Sequence, residues 1–182
     1  MEVTSETLLD FWYSERVRKL WFVATPELDA EIKQRFESLW EKASAGALAH
    51  WTDTAQGTLA LVILLDQLPL NMFRNEAKSF QTETMAVQLS KQAIDRQLDV
   101  QLPQDRQAFL YMPLMHSENL ADQTLAVTLF ERAGLTSNLR FAKHHREIIR
   151  QYGRFPHRNA ILQRQSTPQE LAYLDSKQAF KG

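Results

Sequence analysis

Asp66 is the residue whose placement asks most of this chain. Its helical neighbours Leu59, Val62 and Ile63 put it on an apolar stripe, at the C-terminal end of a predicted helix. The helix dipole disfavours a negative charge there. Burying an uncompensated carboxylate costs several kcal/mol or so, so a cation or hydrogen-bond donors must meet it. Asn71 and Arg74 are near in sequence, and Arg154 and Arg158 are distant alternatives. The pairing then either ties two helix pairs together structurally or orients a charge on a ligand.

Two histidines could move a proton near neutral pH. His145 has Phe141, Ala142, Ile148 and Ile149 at its helical neighbour positions and points at the core. It is either a hydrogen-bonded core histidine or a general base. His116 opens a second group with Ser117, Glu118, Asp122 and Gln123. Ser117 reads as an N-cap and Glu118 as a first-turn acid, whereas Asp122 faces inward beside Leu125 and Ala126. His116, Asp122 and His145 are suitable metal donors by type, yet no helical His-x-x-x-His or Glu-x-x-His pair is present. No metal and no cofactor is expected.

The densest polar stretch is Tyr152-Gly153-Arg154-Phe155-Pro156-His157-Arg158-Asn159. Gly153 lets the chain leave a helix and Pro156 prevents the helix from resuming. A polar set on such a bend binds a ligand or anchors a buried acid. It belongs to a basic run, Arg140, Lys143, Arg146, Arg150, Arg154, Arg158 and Arg164, against the single acid Glu147. That run is a solvated face or an anion site. No phosphate-binding Gly-rich loop and no Gly-x-Ser-x-Gly motif accompanies it.

These residues must be positioned by helices. The 182 residues are 44% hydrophobic, carry a net charge of −1, and contain five glycines and no cysteine. Charge alone therefore favours neither nucleic acid nor membrane, and disulfides and thiolate chemistry are excluded. The start lacks an export signal, and the longest apolar run, Leu59 to Leu65, is too short to cross a bilayer. A cytoplasmic protein is expected. About eight helices are predicted, near 5–14, 26–45, 53–67, 82–98, 103–111, 117–134, 138–152 and from 168, in a single helical domain over 1–182. Trp12, Trp21, Trp40 and Trp51 read as packing residues, with any exposed remainder available for a homodimer.

Pro69, Pro113 and Pro156 recur at intervals of 44 and 43 residues, each after a large apolar residue and before a polar cluster. Read as helix stops, they suit an all-α stack of antiparallel helix pairs with the polar clusters along one rim.

Leu65-Asp66-Gln67-Leu68-Pro69-Leu70-Asn71-Met72-Phe73-Arg74 resembles a hallmark of the bacterial domain-of-unknown-function family 924. So do Phe109 to Glu118 with Ala121-Asp122-Gln123, Tyr152 to Leu162, and the starts Leu9-Asp10-Phe11-Trp12 and Trp21-Phe22. The resemblance covers nearly the whole chain and implies a tetratricopeptide-like α-α superhelix and no particular activity. The family pattern has arginine after Pro69, where Leu70 stands here. If that arginine meets a ligand, the contact is lost or passes to Arg74.

The expectation is a polar pocket for a small anion or a peptide carboxylate, lined by Asp66, Asn71, Arg74, His116, Asp122, His145, Arg154, His157, Arg158 and Asn159. If the site is catalytic, His145, His116 and Asp66 are the candidates, for a hydrolase or lyase rather than an oxidoreductase. A protein-interaction scaffold and RNA binding through 140–164 are the alternatives, with nucleic acid the weaker partner.

Overall fold

A computed structural model describes residues 3–23 and 25–182. All regular structure among them is helical. In chain order it comprises α1 (Ser5–Trp12), α2 (Glu15–Arg18), α3 (Pro26–Ser44), α4 (Ala55–Asp66), α5 (Leu68–Met72), α6 (Glu83–Asp95), α7 (Gln104–His116), α8 (Leu120–Arg132), α9 (Thr136–Tyr152) and α10 (Pro168–Leu174). The eight expected helices are present, and the short α2 and α5 are additional. Single 3-10 turns lie at Ala49–Asp53, Ala77–Phe80, Asp99–Gln101 and Pro156–Arg158.

Helix α4 is the centre of the packing. Every residue from Gly57 to Asp66 is buried, as expected of a helix apolar on all sides. Helices α1, α3, α6 and α7 all pack on it. From there the chain adds layers in order, α6 on α7, α7 on α8 and α8 on α9. One apolar core extends from Leu8 to Ala142, and Ile148, Ile149 and Phe155 form a smaller cluster beyond it.

Local signals place the helix ends. Thr54, Asn119 and Thr167 each accept a backbone N–H in the first turn of the helix they precede. Gly153 adopts φ +73° after α9, the left-handed conformation glycine tolerates. The end of α4 is met from outside: Thr82 donates its hydroxyl to the Leu65 carbonyl at 2.6 Å and accepts from Trp40 Nε1 at 3.0 Å. One threonine thus joins α3, α4 and α6.

The proline reading needs correction. Pro69 lies in the first turn of α5 instead of only ending α4. Pro113 sits inside α7, which continues to His116, at the cost of one intrahelical hydrogen bond. Pro156 alone follows a completed helix and a turn. Ser117 is not the N-cap of α8; Asn119 is, and Ser117 instead bonds Asp122.

Gly57 shows how closely the 49–53 turn seats on α4. A Cβ there would stand 2.1 Å from the Trp51 carbonyl oxygen. Gly57→Ala is expected to destabilise the protein by about 3 kcal/mol through backbone displacement, measurable by urea unfolding. A loss below about 1 kcal/mol would show that the turn is free to move.

Candidate functional site

Asp66 ends α4 with its side chain 3% exposed, and its partner is His116. The imidazole Nδ1 lies 3.0 Å from both carboxylate oxygens, and Gln67 Nε2 donates to Oδ2 at 2.7 Å. His116 is the last residue of α7, where the helix dipole favours a cation. Burial works against the charged ring, but the adjacent Asp66 carboxylate, helped by Glu83, outweighs it and raises the His116 pKa. The second ring nitrogen, Nε2, takes no partner among the described residues.

Arg158 completes the group. Its guanidinium lies over the rings of Phe80 and Phe155, with centroid distances of 4.3 and 4.8 Å. One terminal nitrogen pairs with Glu83 at 2.9 Å, and the other donates to the His116 carbonyl at 2.8 Å. Its Nε is buried and has no acceptor. Burial raises the Glu83 carboxyl to about 7 despite the opposing charge of Arg158. Four ionisable side chains from α4, α6, α7 and the 156–158 turn therefore share one locus.

This locus opens into a cleft of about 690 Å³. Of the ten residues expected to line a pocket, Asp66, Asn71, Arg74, His116, His145, His157 and Arg158 border this cleft. Asn71 and Arg74, however, do not serve Asp66. They hold Asp29 of α3, with Arg74 bonding both of its carboxylate oxygens at 2.6 and 3.0 Å.

Asp122, Arg154 and Asn159 do not border the cleft and are corrections to the expected set. Asp122 accepts from Ser117 at 2.7 Å and pairs with Lys91. Arg154 makes two 3.1 Å bonds to the buried Glu170 and one to the Gln165 carbonyl. Asn159 bonds the same Glu170 and Ser166. Glu170 is thus paired by Arg154 and Asn159. Among the described residues no cluster of three His, Asp or Glu side chains is placed to hold a metal ion.

Sequence reasoning missed Glu83, Gln67 and Phe80, and the apolar rim from Trp21, Phe22, Val23 and Phe141. Glu83 carries only the signal of a first-turn acid, and its role depends on Arg158, 75 residues away. The basic run is largely spent internally, since Arg150 pairs with Glu147, Arg154 with Glu170, Arg158 with Glu83 and Arg164 with Glu118.

The comparisons agree with this architecture. A family described as bacterial protein of unknown function (DUF924) matches residues 8–178. The chain belongs to the DUF924 family. A solved structure, that of the protein of unknown function ATU0120 from Agrobacterium tumefaciens, is similar over 94% of this chain and 96% of that one, with 36% identity and a TM-score of 0.89. No curated protein matches. DUF924 membership carries no particular chemistry with it. No helix among the described residues is long and apolar enough to cross a membrane.

His145 is a different kind of group from His116. Its Nδ1 is 2.8 Å from the Phe141 carbonyl, so it donates, and burial lowers its pKa to about 3. Burial and then the Arg158 charge lower His157 to about 4. Both bind fewer protons folded than unfolded, so their contribution is complete above pH 6.5 and lost as pH falls towards those values. Glu83 and His116 act oppositely, because raised folded pKa values favour the native state at lower pH. The melting temperature of His145→Gln is therefore expected to fall less than that of wild type between pH 6.5 and 4.5. Parallel pH curves for the two proteins would contradict the assignment.

Proposed function

We propose that the cleft binds a small organic anion, its carboxylate held at His116 and Arg158 and its apolar part against the aromatic rim. The supporting observation is that two donors bordering one cleft, His116 Nε2 and Arg158 Nε, have no acceptor among the described residues. A buried donor such as Arg158 Nε is costly to leave unpaired, whereas His116 Nε2 belongs to a partly exposed ring. Charge-assisted bonds to a carboxylate would satisfy both. Arg74, Arg158 and Lys181 outnumber Asp66 and Glu83 among the charged lining side chains, and a protonated His116 makes the cleft more cationic still. A peptide C-terminus presents the same carboxylate and falls under this reading.

If a reaction follows binding, Asp66 and His116 are its acid–base pair. The carboxylate fixes the tautomer by accepting from Nδ1, which leaves Nε2 to give or take a proton. His145 does not suit that role, because burial keeps it neutral and its Nδ1 is committed to Phe141.

A thermal-shift screen of small monocarboxylates at pH 6 tests the proposal, since ligands selective for the native state raise its stability. Stabilisation by at least one acid is expected. His116→Gln should weaken that acid about tenfold or more. Affinity should also fall as pH rises past about 7, because Glu83 gains a negative charge beside the bound carboxylate. Absence of any shift in wild type, or affinity unaltered in His116→Gln, overturns the reading.

A further inference from the structure

We propose that the cleft contains a slot for an aromatic ring, bounded by His145, His157 and Phe155, which Phe180 of the same chain fills and from which an aromatic carboxylate displaces it. The Phe180 ring lies 4.5 Å from that of His145 and 4.9 Å from that of His157, the latter nearly perpendicular at 86°. Phe155 closes the slot, 5.5 and 5.7 Å from the same two imidazoles. Edge-to-face and tilted arrangements at these separations are the favoured geometries of aromatic pairs. Burial keeps both imidazoles neutral, so they present ring faces and not charges.

The walls and the plug are held very differently. Phe155 is 1% exposed, and His145 stands on the long helix α9. Phe180 is only half-buried and follows α10 on a segment without regular structure. Its backbone N–H is held by the Tyr173 hydroxyl at 2.9 Å. The three walls also fall within the family-matched residues 8–178, and Phe180 falls outside them. A half-exposed ring on an irregular segment opens at lower cost than the core around it.

The slot adjoins the anion locus through one shared ring. Phe155 contacts both slot imidazoles and lies 4.8 Å from the Arg158 guanidinium carbon. A ligand whose ring is joined to its carboxylate by a short linker can therefore engage both. The proposal rests on the anion reading for the carboxylate but not for the ring.

Calorimetric titration of wild type and Phe180→Ala with 3-phenylpropionate, propionate and benzyl alcohol separates the two ideas. In Phe180→Ala, 3-phenylpropionate should bind at least tenfold tighter than in wild type, and propionate should bind both proteins equally. Saturating 3-phenylpropionate should also speed hydrogen exchange at the Phe180 amide of wild type, a response that mere filling of an engineered hole would not produce. Equal affinities of 3-phenylpropionate for the two proteins, or unchanged exchange at Phe180, overturn the slot. If propionate fails to bind while benzyl alcohol gains from Phe180→Ala and speeds that exchange in wild type, the slot stands and the anion reading falls. Propionate binding that depends on His116, with no gain for either ring compound, removes the slot and leaves the anion site.

Discussion

A carboxylate at the C-terminal end of a buried helix is opposed both by the helix dipole and by loss of solvent. Asp66 stands in that position because α4 is packed on every side and cannot turn its last residue outward. The compensation comes from elements far away in sequence. Helix α7 has to continue past Pro113 so that His116 meets Asp66. The 156–158 turn has to hold Arg158 where it caps the His116 carbonyl and neutralises Glu83 of α6. One awkward charge thereby sets the relative placement of α4, α6, α7 and the final third of the chain.

Polar pairing takes over where the apolar core thins out. The large core stops at Ala142, and the cluster beyond it is small. Between them Glu118 receives two bonds from Arg164, whose Nε donates to Asn159, and Asn159 and Arg154 together hold the buried Glu170. Such networks contribute less to stability than to a single defined arrangement, because each member left unpaired would be costly. The polar stretch from Tyr152 to Asn159 is accordingly a structural clamp first. Only Arg158 and His157 of its charged or titratable side chains also border the cleft.

The helices and the awkwardness of Asp66 were legible in the sequence because both depend on local spacing. Apolar periodicity located α3, α4 and α9, and Gly153 marked the end of α9. The partner of Asp66 was not legible, since nearness along the chain suggested Asn71 and Arg74 while the fold turns both towards Asp29. Pairings across 42 to 75 residues, such as Asn71 with Asp29 or Arg158 with Glu83, follow from how helices stack and leave no trace in local pattern. Pro113 misled for a related reason: α7 tolerates it inside a well-packed helix, so a proline spacing that looked periodic did not mark equivalent helix ends. Arg154 and Asn159 were placed in the right segment, but on the side of it that serves Glu170.

The same pairings constrain how the cleft can work. Arg74 is occupied by Asp29, and the terminal nitrogens of Arg158 by Glu83 and the His116 carbonyl, so among the bordering arginines Arg158 has only its Nε left for an anion. What remains variable is the proton content of the locus. The pKa of His116 is raised, which favours its charged form, and that of Glu83 is raised to about 7, so near neutral pH Glu83 sits close to the point where a proton can be gained or lost. An incoming carboxylate favours the protonated form of each, and by linkage its binding draws protons into the site to the same extent that acidification strengthens its binding. Asp66, which holds His116 in position and stabilises its charged form, is thus both the structural demand that organises the fold and the means by which the cleft becomes attractive to an anion.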